Sequence, residues 1–219
     1  MEVRVTAALD VPGATLRRHE LAALREVARS GGGRADAAPV TLLVADMRPS
    51  MLCGRSRAFR SVAAAEALVL LGWQAVDAGG DVALLTLGAG APVTVAPGAG
   101  AETMDRIIAG LVRAHDAAAA LALAGRLDDP PMTRDLVPLD DEPPGVRLVI
   151  ASGFEMPGAG LSARLAALSA RHDLWLLRVS DGPLPERPPF PGLTTVGVDA
   201  GLPPEAVVAL LAASVPGRS

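Results

Sequence analysis

Four short stretches of almost unbroken apolar residues recur along the chain: residues 40–45 (VTLLVA), 81–87 (DVALLTL), 147–151 (RLVIA) and 174–179 (LWLLRV). Runs this short, bounded by polar or glycine-rich turns, have the pattern of strands buried on both faces of a parallel sheet. Between them the apolar positions take a helical repeat. Residues 57–78 form a long Ala-rich helix closed by Gly79 and Gly80, and residues 161–171 and 203–213 read as further helices. Residues 103–113 predict a helix with Glu102 and Asp105 near its start, where the helix dipole favours acid; Asp116 is then expected to cap a separate Ala/Leu-rich helix to residue 127. Residues 93–95 predict a brief hairpin partner for the second strand, and residues 194–198 a last strand. The stretch 128–145, rich in proline and acid, reads as an irregular surface loop, and residues 183–191 as a proline-rich crossing.

Strands alternating with helices imply right-handed crossovers, so the expected class is α/β: a doubly wound, mostly parallel sheet covered by helices on both faces, spanning residues 39–219. The first 38 residues read as an N-terminal appendage. It holds a short strand at 3–9, a helix at 16–30 with Leu16, Leu21, Leu24 and Val27 on one face, and a linker opening on the glycines at 31–33. Sheets of this class bind ligands outside the carboxyl ends of their strands. That directs attention to residues 46–57, 88–97, 152–160 and 180–185.

Composition narrows the function more than it names it. The chain has 219 residues, 50% hydrophobic but only 2% aromatic, with a net charge of −4. A mean hydropathy of +0.36 excludes disorder, since such a chain can bury enough apolar surface to offset its ordering entropy. Net negative charge and few aromatics exclude a nucleic-acid surface built on global charge or base stacking. All 20 basic residues are arginine, so a lysine-dependent phosphate loop is impossible. The glycine run from Gly88 leads into Pro92 and a short strand, not into the helix start a dinucleotide loop needs. One cysteine, Cys53, excludes an internal disulfide framework and suits a reducing compartment, so a cytoplasmic location is expected. The N-terminus lacks the basic start and unbroken apolar stretch of a signal peptide. No membrane span is expected either, because the longest nearly apolar stretch, 61–78, carries Glu66, Gln74 and Asp77.

The stretch 45–88, ADMRPSMLCGRSRAFRSVAAAEALVLLGWQAVDAGGDVALLTLG, resembles the core of domain-of-unknown-function family 58, whose members carry a von Willebrand factor A-like domain. Residues 147–154 (RLVIASGF) resemble a strand that usually ends in Ser-Asp-Phe, and residues 172–185 (HDLWLLRVSDGPLP) resemble a late segment of the same family. The resemblance covers residues 39–198; the Arg-x-Tyr-x-x-Gly-Asp segment that precedes the domain in related members leaves no trace in the first 38. It implies a metal-ion-dependent adhesion site, in which Mg²⁺ is held by an Asp-x-Ser-x-Ser loop, a threonine and an aspartate, with room for a partner's carboxylate. Here Asp46 and Ser50 match the first and last loop positions, Arg48 replaces the middle serine, and Gly153 stands where the aspartate belongs. The threonine position falls near His115 and Asp116, which makes Asp116 a substitute ligand beside Asp46 and Ser50 in a degenerate Mg²⁺ site. Two metal-free readings stay open, and no cofactor is expected. Arg48 can sit near Asp46 and Asp116 and take over the cation's electrostatic role, or it can point to solvent as most arginines do.

The resemblance implies a non-enzymatic protein-interaction module, an adaptor in complex assembly or maturation with a MoxR-type AAA+ ATPase. Its binding edge would comprise Asp46, Arg48, Ser50, Met51, Arg55, Arg57, Ser152 and Glu155. The cluster Arg55, Arg57 and Arg60 could receive an acidic partner segment, or be an ordinary solvated helix start. The alternatives are an enzyme, a hydrolase or transferase using Asp46 as a central acid at that edge, or a degenerate scaffold paralogue. Against an enzyme, no base, nucleophile and stabiliser fall together, and none of His19, His115 and His172 is placed beside Cys53.

Overall fold

Every apolar run becomes a strand of one sheet. The computed structural model describes residues 13–30, 40–55, 57–182 and 190–214. Its strands are β1 (Val40–Asp46), β2 (Asp81–Leu87), β3 (Thr94–Gly98), β4 (Arg147–Ser152), β5 (Asp173–Ser180) and β6 (Thr194–Asp199). They lie in the order β3-β2-β1-β4-β5-β6, with only the edge strand β3 antiparallel to its neighbour. The side-chain period of two sorts each buried strand into two faces. Leu43 and Ala45 of β1 join Leu84, Val149, Leu177 and Val198 in one cluster, whereas Leu42 and Val44 join Leu85, Leu148, Ile150 and Leu176 in the other.

The first face is covered by α1 (Arg18–Ser30), α2 (Arg60–Asp77), α3 (Gly100–Leu123) and, beyond β6, the helix Pro204–Ser214. Fourteen of the eighteen residues of α2 are buried, which explains its alanine content: small side chains let α2 lie close on the sheet with α1 and α3 packed against it. Gly72 marks the tightest approach, since a Cβ there would meet Met104 Sδ at 2.9 Å and Leu43 Cδ1 at 3.1 Å. On the second face lie α4 (Met132–Asp135), a 3₁₀ turn at Val137–Asp140 and α5 (Leu161–Ser169). The doubly wound α/β class is therefore the observed one.

Three local expectations are corrected. The helix from Gly100 runs to Leu123 without a break, so Asp116 caps nothing and stands exposed in mid-helix. Ala114, Ala118 and Ala122 continue the buried i, i+4 stripe through that point. The stretch 128–145 is not merely surface, because Met132, Leu136 and Leu139, at helical spacing, fill the second core. The Ala-rich helix begins at Arg60, not at residue 57, with Phe59 still extended.

The helix α1 packs Leu21, Leu24 and Ala28 into the same cluster as α2 and α3, and the Arg25 guanidinium lies 4.6 Å over the Trp73 ring. Ahead of it, Gly13 accepts a hydrogen bond from the Phe59 N–H at 3.2 Å. A Cβ at Gly13 would collide with the Arg57 carbonyl, and its φ of +85° suits only glycine. The strand expected at 3–9, the linker at 31–38 and most of the crossing at 183–191 lie outside the described residues.

Candidate functional site

The strand order reverses at β1, which sends its crossover toward β2 while β4 lies on its other side. A crevice between the carboxyl ends of β1 and β4 follows from that topology. Register sets Ala45 beside Ala151, so Asp46 and Ser152 end their strands side by side. The Ser152 hydroxyl donates to Asp46 Oδ2 at 2.6 Å and itself accepts the Phe154 N–H at 3.0 Å.

Arg48 turns back over this pair. Its amide and Nε donate to Asp46 Oδ1, each at 3.0 Å, and Nη2 donates to Asp46 Oδ2 at 2.8 Å. The fork geometry of guanidinium and carboxylate permits this two-pronged pairing, which a lysine could not make. Nη1 reaches away from the strand, donating to the carbonyls of Met156 at 2.7 Å and Pro130 at 3.1 Å, with Asp129 Oδ2 at 3.6 Å. Asp129 in turn accepts the Ser50 N–H through Oδ1 at 2.9 Å. One side chain thus ties together the loop after β1, the segment after α3 and the loop after β4. The side chains of Arg48 and Asp46 are both 0% exposed. Burial works against the guanidinium's charge, but the hydrogen bonds and charge of Asp46, with Asp129 and Asp135 behind, outweigh it and raise the Arg48 pKa.

The loop beyond Ser152 carries strain. Phe154 has φ +53°, the only positive value at a non-glycine among the described residues, a conformation costing about 1–3 kcal/mol. Its ring meets Phe190 edge to face at 5.3 Å, and the turn brings the carbonyl of Met156 back over Arg48.

These residues do not fit a divalent cation. Both oxygens of Asp46 are committed to Arg48 and Ser152, and a positive charge already stands against them. Gly153 offers no carboxylate, and Asp116 is exposed to solvent while its neighbour His115 is buried in the core. His115 accepts or donates at Nδ1 with Ser61 Oγ at 3.1 Å and lies 2.9 Å from the Ala14 carbonyl through Nε2. Nε2 must therefore carry the proton, leaving Nδ1 to accept from Ser61. Burial pushes the His115 pKa down, partly offset by the Ala14 carbonyl and the charge of Asp116. Among the described residues, no group of three or more His, Cys, Asp or Glu side chains is placed to hold a metal ion. The expected neighbour of Arg48 is corrected accordingly: Asp129, not Asp116, stands beside it.

The remaining expected site residues divide by exposure. Asp46, Arg48, Met51 and Ser152 are sealed from solvent, and Met51 Sδ accepts the Gly153 N–H at 3.2 Å. A partner would meet the loops these residues hold, not their side chains. Arg57 is drawn off to Glu66 in a two-pronged pair at 2.6 and 3.0 Å. Arg55 and Glu155 remain at the surface, Arg60 lies mostly buried against Glu155, and Ser50 contributes its backbone N–H. Cys53 lies half-buried beneath them, its thiol donating to the Ser50 carbonyl at 3.3 Å. Burial, the largest influence, pushes its pKa up in spite of nearby Arg60.

Fold and site together define a doubly wound α/β protein whose switch-point crevice is closed by an internal arginine–aspartate pair. Residues 11–198 match the family described as protein of unknown function DUF58, and the chain belongs to that family. No curated protein and no solved structure matches it. No helix among the described residues is long and apolar enough to cross a membrane.

Proposed function

We propose that the chain is a protein-interaction module of the von Willebrand factor A-like kind with a degenerate metal site. In this reading it is a non-enzymatic, cytoplasmic adaptor that serves complex assembly or maturation with a MoxR-type AAA+ ATPase. It docks through the loops at the carboxyl ends of the strands. The observation that carries the reading is the Arg48 tie: one buried cation fixes three loops of that edge in a set arrangement, as a recognition surface requires and as a bound divalent ion would otherwise do. The enzyme alternative needs Asp46 as a central acid, and both its oxygens already accept hydrogen bonds.

Co-purification of a tagged full chain from its native host tests the partnership. Retention of an AAA+ ATPase is the expected result; a substrate-dependent activity abolished by Asp46→Asn, with no ATPase retained, overturns it. Calorimetry with Mg²⁺ and Mn²⁺ tests the degenerate site separately. The unmodified protein should show no binding heat, and tight binding would return the metal to the site.

A further inference from the structure

Arg60 stands at the head of α2 with its guanidinium only partly used. Its side chain is 15% exposed, and Nη1 lies 2.8 Å from Glu155 Oε1. That contact is off the N–H axis: neither Nη1 nor Nε of Arg60 has a directed hydrogen bond, and both atoms are shielded from solvent. Glu155 is itself 56% exposed, so the acid held against this cation is free to swing into water. Alongside, the Gly153 backbone runs close to the guanidinium: a Cβ there would stand 3.6 Å from Arg60 Nη1 and 3.5 Å from Met51 Sδ and the Val179 carbonyl. The end of α2 adds to the field, because its first turn has no acidic residue and Phe59 provides no side-chain cap. Arg55, 90% exposed, lies 3.8 Å from Asp181 across the same rim. Two guanidiniums and two carboxylates therefore balance while Glu155 is in place, and one positive charge is uncovered when it leaves.

From this arrangement, which rests on the carboxyl-edge docking proposed above, we infer that Arg60 is the receptor for a carboxylate of an acidic partner segment and that Glu155 is the internal occupant it displaces. Exchange is one acid for another at the guanidinium, while the displaced Glu155 carboxylate is left in water, where its charge is screened. An incoming carboxylate gains the N–H donors that Glu155 leaves undirected, and it enters from the side that Glu155 vacates. Arg48 cannot take this role, since it is fully enclosed and its donors are engaged.

The probe is an acetylated, amidated hexaglutamate peptide, titrated calorimetrically at low salt into the full chain. Glu155→Gln should bind it roughly fivefold more tightly than the unmodified protein, since it removes a competing surface ion pair. Adding Arg60→Gln should erase that gain, raising salt should weaken it, and hexalysine should show none. Equal binding by Glu155→Gln and the unmodified protein overturns the inference, as does a gain that survives Arg60→Gln. Should Arg60→Gln fail to fold, Gly153→Asp in the Glu155→Gln background serves instead, because it sets a tethered carboxylate beside Arg60 and should block the peptide; undiminished binding then overturns the inference. The two readings fail separately. Loss of the ATPase with peptide binding intact defeats the partnership alone, whereas an ATPase retained by a chain whose peptide binding ignores Arg60 defeats the receptor alone.

Discussion

Arg48 and Arg60 stand twelve positions apart on the same edge of the same sheet, and they have been put to opposite uses. Burial works against the charge on both, and on both the neighbouring acids outweigh it and raise the pKa. Arg48 meets a matched carboxylate and two carbonyls in good geometry and is closed off completely. Arg60 meets one surface acid off-axis and keeps undirected donors. The difference shows that a buried cation becomes structural or available according to how well its donors are satisfied, not according to its charge.

The largest effect should come from breaking the satisfied pair. Arg48→Met leaves Asp46 charged and enclosed with only the residue-48 backbone N–H and the Ser152 hydroxyl to meet it, and should cost about 3–5 kcal/mol in urea unfolding. The double variant Asp46→Val with Arg48→Met should lose distinctly less than the two single losses added together; simple additivity would show that the pair is not coupled. Ser152→Ala removes a donor from Asp46 and an acceptor from the Phe154 N–H, for an expected loss of about 1–3 kcal/mol by the same measurement.

Neither arginine titrates near neutrality, so pH dependence there must come from the buried histidines. Burial holds the pKa of His115 down, and does the same for His172, where the Arg171 charge adds to it. A histidine with a depressed folded-state pKa binds fewer protons folded than unfolded. Its contribution is thus complete above the unfolded value of about 6.5 and declines as pH falls through it, by less than about 1.4 kcal/mol per pH unit for each group. Urea melts between pH 7.5 and pH 5.5 (roughly one unit either side of the unfolded value) should show that decline, and His115→Gln should flatten it. The smallest change belongs to the rim: Glu155→Gln should alter stability by no more than about 0.5 kcal/mol while changing peptide affinity.

The sheet was legible in the sequence because strands covered on both faces leave no room for polar residues, so the apolar runs mark them directly. Asp46 and Ser152 were legible for a related reason, as the polar residues on which two such runs end. Arg48 was legible as an anomaly, and one of the two readings open for it places it near Asp46. Its third partner was not. Asp129 sits among acids and prolines whose composition is that of solvated loops, and it follows a helix that ends at Leu123, about two turns beyond the break expected at Asp116. The carbonyls of Pro130 and Met156 carry no sequence signal at all, since any residue supplies one. The core role of Met132, Leu136 and Leu139 was hidden because the prolines around them outweighed a helical spacing only two turns long.

The reach of the Arg48 tie also bears on the order in which the chain assembles. Its carbonyl partners lie 82 and 108 residues away in sequence, so the tie closes only once β1 and β4 are already neighbours. A contact that closes after the transition state acts on unfolding, so Arg48→Met should speed unfolding more than it slows folding, and a chevron showing the reverse would place the tie in the folding nucleus. On that expectation the arginine at the centre of this edge is a brake on the domain's opening, setting how long the arrangement of its three loops, once formed, persists.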